Sequence, residues 1–329
     1  MQNQDLLSYV YEKIGKSKIY PIKPDASLRK YYRISNNKKT FILVDSSKEN
    51  LMFNNMIKVN KILSKVKISI PKIFFYNKRK KFMIIEDFGK NRFDKIIHKN
   101  KYTNKLFSEA ILSLAEIKNT LIYDKKNNLS SFNNNKLKQD ISEFIEWYYP
   151  HIFKKKLKTS EKNIFYNTWK STFKKVNLNS DTFVHGDFFC NNLMYLSNKK
   201  QHLQCGIIDY QDAFWGDTTF DLVSLLEDSR RVIKTYDKDF LIDLYLAKTN
   251  QKNNKENLLL NYNFLGAARQ TRILGRWIKL SKIKKNHNFL KFLNTTWHWL
   301  EINLHHPSLF ELKKLYDELV PLKFRKYDS

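Results

Sequence analysis

The chain has 329 residues, of which 60 are Lys or Arg and 32 Asp or Glu, for a formal net charge of +28. A hydrophobic fraction of 42%, with 24 Phe and 18 Tyr, excludes an intrinsically disordered chain, and the length allows two unequal lobes. The only cysteines, Cys190 and Cys205, lack metal-ligand or CxxC spacing, and an uncharged apolar run of about 18 residues is absent, which excludes a disulfide framework, a zinc site and a membrane helix. A charge this large raises a nucleic-acid or anionic membrane partner. Lys is nevertheless spread along the whole chain beside abundant Asn, Ile, Tyr and Phe, the residues that A/T-rich codons encode, and a localised basic stripe with stacking aromatics is missing. Neither nucleic acid nor membrane is therefore expected as a partner, while an anionic small ligand such as a nucleotide stays open. Asp5 interrupts a start that has no apolar run of signal-peptide type, so a reducing, cytoplasmic location is expected.

In chain order, residues 29–35 (RKYYRIS) alternate polar with aromatic or apolar side chains, turn residues follow at 36–39, and TFILV at 40–44 completes a predicted hairpin. Met52, Met56, Val59, Leu63 and Val66 recur at spacings of four and three, which predicts a helix over 49–66. A second hairpin, KIFFY at 72–76 and FMIIE at 82–86, follows Pro71. Beyond EDFG at 86–89 the periodicity turns helical, with helices predicted over 103–119, 137–149 and 160–175. TFVH, LMYL and GIID read as short strands between polar loops, and from Thr218 onward the chain reads as helical. The expected fold class is α+β, with a small β-rich lobe over 1–88 and a larger, mainly helical lobe over 89–329.

The stretch FVHGDFFCNNLMYL sets His185, Asp187 and Asn192 between apolar flanks, where polar groups without partners are costly to bury. Either they satisfy one another in a turn, or they hold something that is not in the sequence. Asp209 ends the apolar GIID stretch 22 positions after Asp187. Two carboxylates and a carboxamide at strand ends and in loops suit a hard cation such as Mg²⁺ bound to a phosphate chain. A carboxylate outside the metal shell can then accept a hydroxyl proton. The spacing H-x-D-x-x-x-x-N followed by an Asp on a later strand is that of a kinase catalytic loop.

On these residues, VHGDFFCNNLMYL followed by GIIDYQDAFWGDTTFDLVSLLED, the chain resembles the aminoglycoside phosphotransferase and choline kinase branch of the protein-kinase-like fold. Within it, IDYQDA and FDLVSLL are most similar to bacterial kinases that phosphorylate the anomeric hydroxyl of N-acetylmuramate and N-acetylglucosamine in cell-wall recycling. The resemblance implies Asp187 as catalytic base, Asn192 and Asp209 as Mg²⁺ ligands, and ATP as phosphoryl donor. It implies His185 as a support of the loop rather than its base. Asp221 would brace the loop backbone from the start of a helix, beside the alternative of a capping box with Thr218. Cys190 reads as a small packing residue.

For the nucleotide the resemblance points to Ser27 and Arg29 in DASLRKYYRI and to the hinge residues Glu86, Asp87 and Phe88. The chain departs from protein kinases in lacking a G-x-G-x-x-G loop and in placing Asp45 where they carry a phosphate-binding Lys, so Arg29 or Lys30 is expected to supply that charge. The expected partner is a small-molecule sugar or amino alcohol; oligomeric state stays open, a monomer being favoured. Gln211 and Asp212 either reach an acceptor or form a satisfied polar turn. Trp147 either stacks on a sugar ring or belongs to the core. Arg269 and Arg272, at i and i+3 of one helix, either recognise a carboxylate or lie on a solvated face. Kinases of choline, aminoglycosides or homoserine, and a nucleotide-binding pseudokinase, are the alternative functions.

Overall fold

The computed structural model describes residues 2–23, 29–37, 39–97, 103–121, 123–231 and 237–326. Among them the elements run α1 (Gln2–Ile14), β1 (Lys18–Ile22), β2 (Lys30–Asn36), β3 (Lys39–Asp45), α2 (Asn50–Leu63), β4 (Ile73–Asn77), β5 (Phe82–Glu86), α3 (Phe93–Ile96) and α4 (Thr103–Thr120). There follow α5 (Asn134–Glu143), α6 (Tyr149–Phe153), α7 (Thr159–Lys175), β6 (Thr182–Val184), β7 (Leu193–Tyr195), β8 (Cys205–Ile207) and β9 (Phe214–Gly216). The chain closes with α8 (Thr219–Leu226), α9 (Lys238–Lys248), α10 (Lys255–Ile283), α11 (Leu293–Leu304) and α12 (Phe310–Leu319). Two compact units emerge, Met1–Asn128 with Cys190–Ala213, and Leu129–Phe189 with Phe214–Ser329.

The first unit is built on an antiparallel sheet of order β1-β2-β3-β5-β4. Both expected hairpins are present, β2–β3 turning through Asn37 at φ 51, a left-handed conformation that Asn tolerates better than most residues. Ile34, Leu43, Phe82 and Ile84 bury one sheet face against Leu6, Tyr9 and Val10 of α1. Neither α1 nor β1 is among the elements read from the sequence. Pro21 argues against a strand there, and it is accommodated because β1 is an edge strand, where a missing N–H breaks no inner ladder. Helix α2 buries Phe53, Met56, Val59, Ile62 and Leu63, so its inner face is the expected stripe rotated by one residue toward Phe53. The ladder of β7 and β8 also belongs to this unit, in the register Leu193↔Ile207, Met194↔Gly206, Tyr195↔Cys205. Gly206 is the small residue that the Phe88 ring requires, since a Cβ there would lie 2.7 Å from it.

The second unit packs its helices around aromatic side chains. Phe144 stacks on Tyr148 with centroids 5.1 Å apart, and Trp297 Nε1 donates to Tyr148 Oη at 2.6 Å. The helix expected over 137–149 is instead α5, a π-helical segment Phe144–Tyr148, and α6. The reason for a glycine on α10 is visible opposite that segment: a Cβ on Gly275 would sit 2.0 Å from the Glu143 carbonyl oxygen. The two backbones meet there with no room for a side chain. Arg276 closes the same contact with paired bonds to Glu143 at 2.7 and 2.6 Å. Substituting Gly275→Ala is expected to destabilise the protein by about 3 kcal/mol through overpacking against backbone that cannot rotate away. Urea unfolding of the variant against the parent checks this, and a loss below about 0.5 kcal/mol would contradict the packing described.

Candidate active site

In the second unit, β6 pairs with β9 in the register Thr182↔Gly216 to Val184↔Phe214, and the chain then enters the loop that carries Asp187. Two backbone donors of this loop converge on one buried carboxylate. The His185 N–H donates to Asp221 Oδ2 at 2.6 Å and the Gly186 N–H to Oδ1 at 3.0 Å. Gly186 has φ +89, a left-handed turn that glycine adopts without steric cost. The Asp187 N–H donates to His185 Nδ1 at 3.2 Å, which makes that ring nitrogen the unprotonated one, and Phe189 N–H donates to the Asp187 carbonyl at 3.1 Å. From Thr182 to Phe189, Asp187 alone escapes full burial. The loop is thus held by its backbone, and Asp187 is half-buried within it.

Burial pushes the Asp221 carboxyl up to about 7, with Asp187 adding to the rise and the two N–H bonds and Arg269 opposing it. The capping alternative for Thr218 is not formed, because its hydroxyl is bonded to Tyr245 Oη. The first turn of α8 is served by Asp217, which accepts from Thr219 N–H at 2.9 Å and the Thr219 hydroxyl at 2.6 Å. Its other oxygen accepts from Asn179 N–H at 3.0 Å and Asn261 Nδ2 at 2.9 Å. Sequence reasoning passed over Asp217. The signal was present in D-T-T-F-D, an Asp two residues before the first turn of an apolar helix.

In the first unit the β7–β8 register does the assembling. Asn192 ends a 3₁₀ turn directly before β7, and the Ile208 N–H donates to the Asn192 carbonyl at 3.0 Å, continuing the ladder one step past Leu193↔Ile207. Asp209, next in line, has φ 65. An amide and a carboxylate 17 positions apart therefore come to the same end of one hairpin. Arg29, only 5% exposed, donates from Nη2 to Asp209 Oδ1 and from Nη1 to Gln211 Oε1, both at 2.9 Å, and its Nε lies 3.3 Å from Glu49 Oε2. Gln211 passes the connection on through Nε2 to Asp212 Oδ2 at 2.9 Å, the arrangement of a satisfied polar turn. Lys30 is exposed, and Asp45 is buried with its carboxylate on the Ser47 N–H at 3.0 Å.

The residues expected at the hinge are also ordered by their side chains. Asp87 takes a paired bond from Arg33 at 2.7 and 3.0 Å and accepts from Gly89 N–H at 2.9 Å. Glu86 accepts from Lys72 N–H at 3.2 Å, while the Phe88 ring covers Gly206. Ser27 lies outside the described residues. Trp147, in the π-helical segment, packs half-buried against the helical core with Lys279 Nζ 5.7 Å from its ring centroid. The solvated-face reading of Arg269 and Arg272 is corrected: Arg269 is 4% exposed and Arg272 is packed with its guanidinium 6.0 Å from the Phe220 ring centroid. Helix α10 is buried over most of its circumference, so spacing along it does not reveal a solvent side. Cys190 is buried in the 3₁₀ turn.

An antiparallel sheet with its helix in one unit, a helical unit carrying the H-x-D loop, and an Asp just beyond a later strand define a protein-kinase-like α+β fold. The ADP-bound aminoglycoside phosphotransferase APH(2'')-Ib shares it with a TM-score of 0.60 at 16% identity, covering 90% of this chain and 98% of that one. The model of the phosphotransferase enzyme family (APH) matches residues 18–247, and the chain belongs to that family, a class of small-molecule kinases. It is 26% identical over 265 residues to the N-acetylmuramate/N-acetylglucosamine kinase of Caulobacter vibrioides, covering 79% of this chain and 72% of that protein. The protein of the same description from Neisseria meningitidis serogroup B is 23% identical over 226 residues, 68% of this chain and 64% of its own length. This chain thus spans just under two thirds of the second relative.

The Asp221 carboxyl titrates near 7 when folded and at its ordinary 3.8 when unfolded, so between those values the folded state holds the extra proton. Its share of stability is therefore full below about pH 4 and declines as pH rises through 7. Replacing it in Asp221→Asn removes this slope. Urea unfolding from pH 4 to pH 8 is expected to shift the free-energy difference in the variant's favour by an amount on the order of 1 to 4 kcal/mol, and a shift in the opposite sense would refute the assignment.

Proposed function

We propose that this protein transfers the γ-phosphoryl group of ATP to a sugar hydroxyl, the anomeric hydroxyl of N-acetylmuramate or N-acetylglucosamine, in cytoplasmic recycling of cell-wall sugars. The observation that supports this most is the Asp221-braced loop, which holds the Asp187 backbone through His185 and leaves Asp187 the one residue from 182 to 189 that is not fully buried. In this reading Asp187 orients the acceptor hydroxyl and accepts its proton as the oxygen attacks the γ-phosphorus and ADP departs.

Asn192 and Asp209, at one end of the β7–β8 hairpin, are the oxygen donors that suit Mg²⁺. Among the described residues three His, Cys, Asp or Glu side chains do not gather into a metal cage. Two protein donors leave most of a magnesium shell to phosphate and water, as a nucleotide-bound ion requires. Bound there, the ion supplies neutralisation of phosphate charge. Residues 1–88 form the nucleotide lobe in this reading and 89–329 the catalytic lobe. With the Asp87 and Glu86 side chains already engaged, the hinge presents its backbone to adenine. Arg29, bound to Asp209 and within 3.3 Å of Glu49, takes the place of the absent strand lysine, its planar fork suited to phosphate oxygens.

Asp187→Asn is expected to lower Mg²⁺-dependent ATP consumption with N-acetylmuramate and N-acetylglucosamine by about 10² to 10⁴-fold while the thermal unfolding midpoint stays near that of the parent. A coupled assay for ADP, run with choline and an aminoglycoside alongside the two sugars, measures it. Turnover by the folded variant at the parental rate would overturn the catalytic assignment, and parental turnover of choline alone would overturn the acceptor.

A further inference from the structure

Helix α10 carries a buried cation whose hydrogen-bonding capacity the protein does not use. Arg269 is 4% exposed, and neither its Nε nor its Nη1 has a hydrogen-bond partner in the protein. A guanidinium removed from water with two idle donors is unfavourable unless something else binds there. Its charged neighbours are mixed. Burial holds the Arg269 guanidinium down at about 10, Asp228 and Asp187 opposing that fall and Arg272 and Arg230 adding to it.

Arg230, in the turn after α8, is held in the same unit. Its guanidinium stands 4.1 Å from the Phe189 ring centroid and 5.3 Å from that of Trp277, and Nη1 lies 3.3 Å from Asp228 Oδ1. The side chain remains 29% exposed, so it is positioned by stacking while still open to a ligand. Arg272 is drawn toward Asp140, 3.8 Å away. Three arginines thus act on one region that also feels Asp187. Asp187 and Asp228 set an upper limit on the charge of the ligand: a single negative charge is balanced by the arginines, whereas a dianion meets both carboxylates.

Resting on the reading of Asp187 as the base for a sugar acceptor, we propose that Arg269 and Arg230 form a subsite for a carboxylate carried by that acceptor. The preferred substrate is then the sugar acid, N-acetylmuramate, whose lactyl ether bears one carboxylate, over the neutral N-acetylglucosamine. An idle N–H of Arg269 can donate to one carboxylate oxygen, and burial strengthens that charged bond relative to one in water. The neutral sugar leaves the same donors idle, which is the larger source of discrimination.

The experiment compares kcat/KM for the two sugars with the full chain and Mg²⁺-ATP, in the parent, Arg269→Gln, Arg269→Lys and Arg230→Gln. The parent is expected to favour N-acetylmuramate, and Arg269→Gln to reduce the ratio of the two kcat/KM values by about 10- to 100-fold, with Arg269→Lys retaining part of it. Calorimetric titration of N-acetylmuramate without nucleotide is expected to weaken in parallel. A parent with no preference, or a ratio unchanged within twofold in folded Arg269→Gln, overturns the subsite and shows the guanidinium to be a structural, water-bridged cation. Where Arg269→Gln fails to fold, the ratio in Arg230→Gln decides by the same criterion. A parent that phosphorylates neither sugar overturns instead the acceptor reading on which the subsite rests.

Discussion

A carboxylate taken wholly out of water, Asp221, and the two backbone N–H groups it accepts from hold the candidate site together. Neither partner is stable there alone: the loop donors would be buried without acceptors, and the carboxylate buried without donors. Their union ties the first turn of α8 to the segment after β6 and leaves no slack at His185 and Gly186. Asp187 then inherits its position from the backbone on either side of it. Asp217 repeats the device one turn earlier, drawing Thr219, Asn179 and Asn261 onto one carboxylate. A short strand pair, β6 with β9, would hold this loop poorly by itself. The two aspartates supply what the ladder lacks.

The first unit solves a different problem, how to bring an amide and a carboxylate from separate positions to one end of a hairpin. It does so by register. A one-residue slip of β7 against β8 would break the Ile208 N–H bond to the Asn192 carbonyl and change which residues stand at that end of the hairpin. Gly206, pressed under the Phe88 ring, and the Ile207 N–H bond to the Ser69 carbonyl at 2.8 Å resist that slip. Arg29 then meets Asp209, Gln211 and Glu49 together, so the charges brought to this place offset one another.

Much of this was legible in the residues. The β2–β3 and β4–β5 hairpins, helix α2 and the long helical stretch after Thr218 follow from periodicities of two and of about 3.6. The H-x-D-x-x-x-x-N spacing marked the loop because it combines rare polar groups with apolar flanks. Other features were hidden for physical reasons. Pro21 disguises β1, since an edge position is a property of the sheet rather than of the strand. The interruption of the helix at Phe144–Tyr148 lies opposite Gly275, more than 100 positions away, and local pattern has no access to it. Arg269 looked like a solvated charge because charged side chains usually are. Only the packing around α10 reverses that expectation.

What the sequence determined by itself was the chemistry on offer and the class of fold: the acid, the amide and the later acid at kinase spacing, the strands and helices that flank them, and the absence of rival disulfide or zinc-type arrangements. These are local facts, set by which residues stand next to which. The tertiary structure alone decided which groups are already engaged and which are held in readiness. It committed Asp221 to the loop backbone, Gln211 to Arg29 and Asp217 to the head of α8, and it buried Arg269 with donors to spare. Hydrogen bonds and desolvation depend on neighbours that arrive from far along the chain, and no spacing within a short stretch encodes them.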